Sequence, residues 1–293
     1  MNHMVSIQKA IDYIEENITE ELTLENIASQ ANFSMYHFHR IFSVVVGESV
    51  KGYINKRRLS CAALQLLRTE RRIIDIAFEY GFESQEVFTR AFLKHHGITP
   101  GRCRRLGREL SFYERVNLLY REKIYSRRDP FMEPKIVVKK SFEIVGLPCR
   151  TTDEENRAES TIGKSWLKFM PRIGEVKNIS YNASTYGLCT SVHDPQREGE
   201  FMYICSIEVD KVVDIPEGMI AKSVPEGKYA VFTHKGEVGV GTEADLFKTY
   251  EYIYKIWLPQ SGYVFNRDSY DFECYDQRFN GDSPEFDIYI PIK

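Results

Sequence analysis

Hydrophobic positions across residues 24–105 follow one helical pattern twice. The first pass, LENIASQANFSMYHFHRIFSVVVGES, sets Phe38, Ile41, Phe42 and Val45 at helical spacing, and the second, IIDIAFEYGFESQEVFTRAFLKHHGITP, does so with Phe88, Ala91 and Phe92. Ile27-Ala28 aligns with Ile76-Ala77 at an offset of 49, whereas Ser34, Phe38, Arg40, Phe42 and Gly47 align with Ser84, Phe88, Arg90, Phe92 and Gly97 at 50. A single inserted residue separates the copies. Each copy predicts a short helix, a tight turn and a second helix. The alanine (Ala28 or Ala77) lets the two helices cross closely, Asn32 or Gly81 accepts a left-handed turn, and Ser34 or Ser84 caps the second helix. The positions left facing outward are Met35, Tyr36, His39 and Arg40 in one copy and Gln85, Glu86, Thr89 and Arg90 in the other.

The flanking stretches complete an N-terminal helical unit over residues 1–108. MNHMVSIQKAIDYIEEN is amphipathic, and INKRRLSCAALQLLRTE predicts a long helix joining the copies. Across 106–132 the spacing of Leu110, Tyr113, Val116 or Asn117, and Tyr120 predicts a connecting helix that ends before Asp129-Pro130, with 109–132 as linker. From Glu133 the pattern changes to short β-rich runs. Strands are expected at 135–146, 186–192, 201–209, 220–224, 228–234, 270–275 and 286–292, with helices near 162–173 and 242–258. The order strand, helix, strand, strand then occurs twice. The expected architecture is therefore multidomain: an all-α double helix-turn-helix unit, followed over 133–293 by an α+β unit of duplicated βαββ halves with both helices on one face.

Charge separates the two halves. Residues 1–108 hold 15 Lys and Arg against 12 Asp and Glu, a net of +3, whereas residues 133–293 hold 19 against 26, a net of −7. Lys51, Lys56, Arg57, Arg58, Arg90, Lys94, Arg102, Arg104, Arg105 and Arg108 sit on or after the second helices of the repeat, while Glu15, Glu16, Glu20, Glu21 and Glu25 precede them. Polar and cationic side chains at the start of such a helix suit base edges in a major groove, where Arg grips guanine and Gln adenine through paired hydrogen bonds. A solvated polar face explains one copy equally well. Two copies at a fixed separation favour DNA, bound in a salt-dependent way through phosphate contacts. Four of the seven histidines (His37, His39, His95, His96) fall in the repeats on separate helices, and the six cysteines form no Cys-x-x-Cys pair, so neither a metal, a cofactor nor a disulfide framework is expected. No apolar run of membrane-spanning length and no signal sequence is visible, so the expected location is cytoplasmic.

The paired motifs, the "GF-x-S-x-x-x-F-x-R-x-F" core at residues 81–92 and the G-I-T-P ending at residues 97–100 resemble the DNA-binding domain of AraC/XylS-family transcription regulators over residues 5–107. The resemblance implies a seven-helix unit placing two recognition helices in successive major grooves of promoter DNA. It implies Tyr36, His39 and Arg40 as readers on the first helix and Gln85, Glu86, Thr89 and Arg90 on the second, with Lys94 among the DNA contacts. After the proline this chain has Gly101-Arg102-Cys103-Arg104, where many relatives carry a tyrosine-arginine pair.

In the second unit, Phe247, Tyr250, Tyr254 and Trp257 form one stripe of the expected helix, and Tyr186, Tyr229, Phe272 and Tyr275 lie on strands. Such a stripe fits an ordinary core, and it also fits a pocket that is apolar in body and wet at one edge. Within YDFECYD, alternation places Asp271, Glu273 and Tyr275 on one side and Phe272 and Cys274 on the other. A carboxylate among rings binds a flat cation if ionised and serves as a general acid or base if desolvation raises its pKa. The run YEYIYKIWLPQSGYVFNRDSYDFECYD and the terminal EFDIYIPIK are similar to the GyrI-like small-molecule-binding domain, over residues 133–293. That resemblance implies Glu273 at the base of an aromatic pocket for cationic or polar ligands, with Trp257, Tyr229, Tyr250 and Tyr186 around it. Rob-like regulators combine the two domains in this order. The expected function is a ligand-modulated transcription regulator, an activator, with promoter DNA, an amphipathic effector and RNA polymerase as partners. Two alternatives remain open: a C-terminal hydrolase using Glu273, for which His234 is the nearest basic group to hand, and a C-terminal unit that only dimerises or stabilises.

Overall fold

The structure, a computed structural model, describes residues 3–106, 112–118, 133–191, 200–236, 243–281 and 283–293. Its N-terminal unit contains, among the described residues, α1 His3–Glu16, α2 Leu24–Ala31, α3 Met35–Val46, α4 Val50–Arg68, α5 Ile73–Glu79, α6 Gln85–His96 and α7 Pro100–Leu106. The pairs α2–α3 and α5–α6 are the two copies of the repeat. Ser34 and Ser84 start α3 and α6 by accepting from the His37 and Val87 amides. Asn32 (φ 54°) and Gly81 (φ 75°) make the left-handed turns between the helices of each pair. Ile27, Ala28, Phe38, Ile41 and Phe42 are buried in one copy, and Ile76, Ala77, Phe88 and Phe92 in the other. The α7 helix forms despite the altered residues after Pro100, because Cys103 fills an apolar position against α4 and α6.

Residues 112–117 are not helical, which corrects the connecting helix expected across 106–132. Side chains of α1 and α4 supply the hydrogen bonds that a helix would have made internally. Tyr113 N–H donates to Ser60 Oγ, Val116 N–H to Tyr53 Oη and Leu118 N–H to Gln8 Oε1. Residues 107–111 and 119–132 of that expected helix lie outside the described residues.

The C-terminal unit is built on one antiparallel sheet of eight strands, β1 Lys135–Lys139, β2 Phe142–Thr151, β3 Thr185–Ser191, β4 Phe201–Val209, β5 Ile220–Val224, β6 Gly227–Lys235, β7 Phe272–Tyr275 and β8 Glu285–Pro291, in the order β1-β6-β8-β7-β3-β4-β2-β5. The expected single strand 135–146 is two strands, because β1 pairs with β6 while β2 pairs with β4 and β5. The two βαββ halves exchange their leading strands: β1 joins the second half and β5 the first. The halves meet where β3 pairs with β7, setting Gly187 opposite Glu273. Helix α8 Asp153–Glu159, closed by a Thr152/Glu155 capping box, was not expected from the sequence, although its T-x-x-E signature is present. It leads into α9 Thr161–Phe169, which continues as a 3-10 turn over Met170–Glu175. In the second half, α10 Glu243–Glu251 passes into a π-helical turn Tyr252–Trp257 and a short α11 Leu258–Gln260.

The sheet's two faces have different cores. On one, Phe142 of β2 reaches within 5.6 Å of the ring of Phe272 on β7, three strands away in the sheet order, so the sheet curls toward that side. Tyr186, Tyr229, Leu188, Val231 and Cys274 fill the inside of the curl. The opposite face carries α9 and α10, and it also receives the N-terminal unit. Ile7, Ile11, Phe38 and Val45 of the helices share a single buried core with Tyr254, Phe265, Ile288 and Ile290. Phe88 sits in a separate core of the second repeat, fully buried between Phe82 and Phe92. Phe88→Ala is expected to cost about 3–5 kcal/mol of stability, read as a lowered denaturation midpoint with an unchanged urea slope.

Candidate functional site

β7 and its neighbours create the site. Alternation along β7 turns Glu273 and Tyr275 to the helix-covered face, and Glu273 is 6 % exposed. Three tyrosine hydroxyls converge on its carboxylate: Tyr203 Oη donates at 2.6 Å, Tyr250 Oη at 2.8 Å and Tyr275 Oη at 3.1 Å. These hydroxyls come from β4, α10 and β7. Burial, with the negative charge of Glu273 adding to it, pushes Tyr203 and Tyr275 well above the ordinary phenol value, and burial dominates for Tyr250 as well. All three are therefore neutral donors. Trp166 of α9 closes the cluster, its indole N–H 3.3 Å from Tyr203 Oη and its ring 5.3 Å from that of Tyr275. The space exists because residue 187 is glycine. A Cβ there would lie 1.8 Å from Tyr203 Oη and 2.8 Å from Glu273 Oε2.

A second carboxylate, Asp271, lies just before β7 and is 1 % exposed. Its partners come from the helix-turn-helix. Arg40 Nη1 is 2.7 Å from Oδ2, and His37 Nε2 is 3.3 Å from Oδ1. Burial alone would raise this carboxyl, but the Arg40 charge and the His37 contact outweigh it and hold Asp271 below the usual carboxylate range. The Arg40 guanidinium also lies 3.9 Å from the centroid of the Tyr250 ring, in cation–π distance. Tyr250 thus presents its face to Arg40 and its hydroxyl to Glu273. Around this ion pair the docking is aromatic: Tyr36 on Phe201, His37 and Phe33 on Phe265, and Arg267 over the Phe33 ring. At the edge, buried His3 bonds the Tyr254 carbonyl of the π turn at 2.6 Å. The neighbouring Tyr254 hydroxyl is buried with no hydrogen-bond partner among the described residues.

The expected DNA-reading residues divide sharply. On α6, Gln85, Glu86, Arg90 and Lys94 are exposed and Thr89 is half-buried, a cationic and polar face turned to solvent. On α3, at the matching positions of the repeat, Tyr36 is buried and Arg40 is 15 % exposed at its side chain, both covered by the C-terminal unit, with His39 half-buried beside them. Several other basic residues bind their own domain: Arg57 pairs with Glu15, Arg58 donates to the Ile18 and Glu20 carbonyls, and Arg104 to the Leu66 carbonyl.

The expected ligand-binding residues divide too. Glu273, Tyr250 and Tyr275 come together. Tyr186 and Tyr229 do not join them, since both lie inside the curl on the other face of the sheet, against Phe272. Trp257 is also displaced, packing on Phe232 and Tyr263. The π turn explains it: the wider repeat after Glu251 rotates Trp257 off the stripe that an uninterrupted α-helix would have given it. His234 bonds Thr249 rather than Glu273. The sequence reading missed Tyr203, Trp166 and Gly187, whose placement depends on the β4-β3-β7 register. It also assigned no role to Asp271, although alternation already placed that residue beside Glu273. Among the described residues no cluster fit to hold a metal ion is present, and no helix is long and apolar enough to cross a membrane.

Comparison with known proteins decides the family. The profile of the GyrI-like small molecule binding domain matches residues 132–293, and that of a helix-turn-helix domain matches residues 27–106. The chain is an AraC-type regulator with a C-terminal GyrI-like domain. It is 27 % identical over 303 aligned residues to the right origin-binding protein of Escherichia coli K12, covering 98 % of each chain. It is 49 % identical over 104 residues to the uncharacterized HTH-type transcriptional regulator YbfP of Bacillus subtilis, covering 36 % of this chain and 35 % of that one. To the transcriptional regulator BrlR of Pseudomonas aeruginosa it is 35 % identical over 164 residues, covering 55 % and 56 %. The chain thus spans about a third and just over half the length of the last two relatives. It belongs to a family of DNA-binding transcription regulators with a small-molecule-binding domain, not of enzymes.

Two predictions follow from the geometry of this regulator. Gly187→Ala should push the Tyr203 hydroxyl away and break its 2.6 Å hydrogen bond to Glu273, read as altered Trp166 emission. Acid should loosen the packing of the two units. Burial pushes His3 down to about 4 from 6.5, and Asp271 is likewise held below its usual value. Both groups therefore contribute stability that is full above their ordinary values and is lost as pH falls. His3 weakens the packing between about pH 6.5 and 4, by at most about 3 kcal/mol, and Asp271 does so below about pH 4. Denaturation midpoints should fall across the first window, and His3→Gln should flatten that fall.

Proposed function

We propose that the Glu273 cluster is the effector site, and that its effector is a flat or ring-bearing organic cation. The observation that carries this reading is the surroundings of Glu273, a buried side chain whose hydrogen-bond partners among the described residues are three tyrosine hydroxyls. Hydroxyl donors satisfy the lone pairs of a carboxylate but carry no charge to set against its own, and an uncompensated charge is costly away from water. A cation entering between the aromatic rings gains that charge together with ring faces. Selectivity for cations over neutral analogues follows from the same imbalance.

Promoter DNA is bound through both helix-turn-helix copies, with Gln85, Glu86, Thr89, Arg90 and Lys94 on α6 and Tyr36, His39 and Arg40 on α3 as the contacting residues. The exposed polar face of α6 supports the first group directly, and the matching positions of the repeat support the second. The regulator works in the cytoplasm and acts as an activator through contact with RNA polymerase. Dependence of transcription on the effector in a purified system with promoter fragments selected by this protein tests that part.

The pocket is tested by tryptophan fluorescence with tetraphenylphosphonium as a probe cation, since Trp166 touches the Glu273 cluster. Saturable quenching is expected in the wild type, with affinity at least about tenfold weaker in Glu273→Gln and little response to a neutral aromatic of similar size. Equal affinity in the two proteins would remove Glu273 from the site. On the DNA side, Arg90→Ala should weaken binding to a selected duplex by about 1–3 kcal/mol, measured by anisotropy at fixed salt.

A further inference from the structure

A cation of the molecule's own lies beside the Glu273 cluster: Arg40 of α3 seats its guanidinium on the Tyr250 ring, whose hydroxyl bonds Glu273. We infer that Arg40 and α3 plug the effector site, so that an organic cation and DNA both favour the same undocked state and reinforce each other's binding. This inference rests on the reading of the Glu273 cluster as an effector site.

Three observations carry it. The first is an internal comparison. The repeat places Arg40 and Arg90 at the same position of two recognition helices, yet Arg90 is exposed on α6 while Arg40 is largely covered by the C-terminal unit. Only the first copy is covered, so the difference arises from docking and not from the motif. The second is chemical. The guanidinium is a planar cation, seated on the Tyr250 ring at 3.9 Å and paired with a buried carboxylate at 2.7 Å. An incoming organic cation would seek the same two kinds of partner. The third is spatial. Tyr250 is shared, with its face to Arg40 and its hydroxyl to Glu273, and Arg40 Nη1 also approaches Cys189 Sγ on β3, two residues from Gly187. The plug and the proposed ligand cluster therefore share a wall.

Tyr36 and Arg40 have one face between them, and it is turned either to Phe201 and Asp271 or to a DNA groove. A groove reached by α3 in the docked arrangement would have to accommodate the sheet and α10 as well. Displacing Arg40 strands Asp271 without its ion partner unless the ligand's charge replaces it, so a neutral ligand leaves a buried charge uncompensated and a cation does not. The extensive apolar packing around the ion pair sets the scale. A ligand releases α3 only to the extent that it binds the undocked form better than the docked one, which favours bulky, ring-bearing cations over small ones.

The experiment uses the full chain, tetraphenylphosphonium and a random-sequence duplex at fixed salt. Arg40→Gln removes the resident cation and should bind tetraphenylphosphonium at least about tenfold more tightly than wild type, whereas Glu273→Gln binds it more weakly. Asp271→Asn loosens the dock without altering the DNA-facing helix, so its duplex affinity without ligand should exceed that of wild type. Saturating tetraphenylphosphonium should raise the wild-type duplex affinity and change that of Asp271→Asn much less. Unchanged or weakened cation binding in Arg40→Gln, or duplex affinity indifferent to the cation in a wild type that binds it, would overturn the plug while leaving the pocket intact. Absence of cation binding in wild type, Arg40→Gln and Asp271→Asn alike would sink the pocket reading and the plug with it. Circular dichroism of each variant confirms that a negative result comes from a folded protein.

Discussion

The ion pair between Arg40 and Asp271 is the constraint on which the arrangement of the two units depends. A carboxylate this deeply buried is costly without a charged partner, and among the described residues its ion partners, Arg40 and His37, both come from the helix-turn-helix. The surrounding contacts, Tyr36 on Phe201 and Phe33 on Phe265, supply apolar area without direction. The ion pair adds direction, since a guanidinium reaches Asp271 in that geometry only when α3 lies along the π turn and β3. Its removal leaves a buried charge on whichever side keeps its group.

The strand β7 then divides the C-terminal unit by simple alternation. Phe272 and Cys274 enter the curl of the sheet with Tyr186 and Tyr229, while Glu273 and Tyr275 face the helices. The closed side is a packed aromatic core. The helix side gathers three hydroxyls on one carboxylate, beside a glycine where a side chain would collide, and this is the cluster proposed to hold the effector. The π turn belongs to the same design, because it sets Tyr254 and Tyr250 against the docked helix while turning Trp257 away.

Much of this was legible in the sequence where local chemistry decides the outcome. Ser34 and Ser84 cap, Asn32 and Gly81 turn, and the strands at 201–209 and 220–224 lie where alternation and turn residues put them. Glu273, Tyr250 and Tyr275 were likewise gathered by alternation and family resemblance. What escaped depends on distant pairing. Tyr186 and Tyr229, which the family resemblance placed around Glu273, lie on the other face of the sheet, because a motif does not say which side of a curled sheet a strand presents. Tyr203 and Gly187 became part of the site only through the β4-β3-β7 register. The covering of Arg40 was beyond local reading altogether, since its sequence neighbourhood is the same recognition-helix pattern that leaves Arg90 in water.

The covering of α3, but not α6, by the C-terminal unit is what the plug depends on. Hydroxyl-radical footprinting of the ligand-free full chain measures it, with Tyr181, 92 % exposed, as the internal standard for a free tyrosine, against Tyr36 at 5 %. The account predicts that Tyr36 reacts at least about tenfold more slowly than Tyr181 and that Asp271→Asn raises its reactivity toward the standard. Equal reactivity of Tyr36 and Tyr181 in the wild type would contradict it.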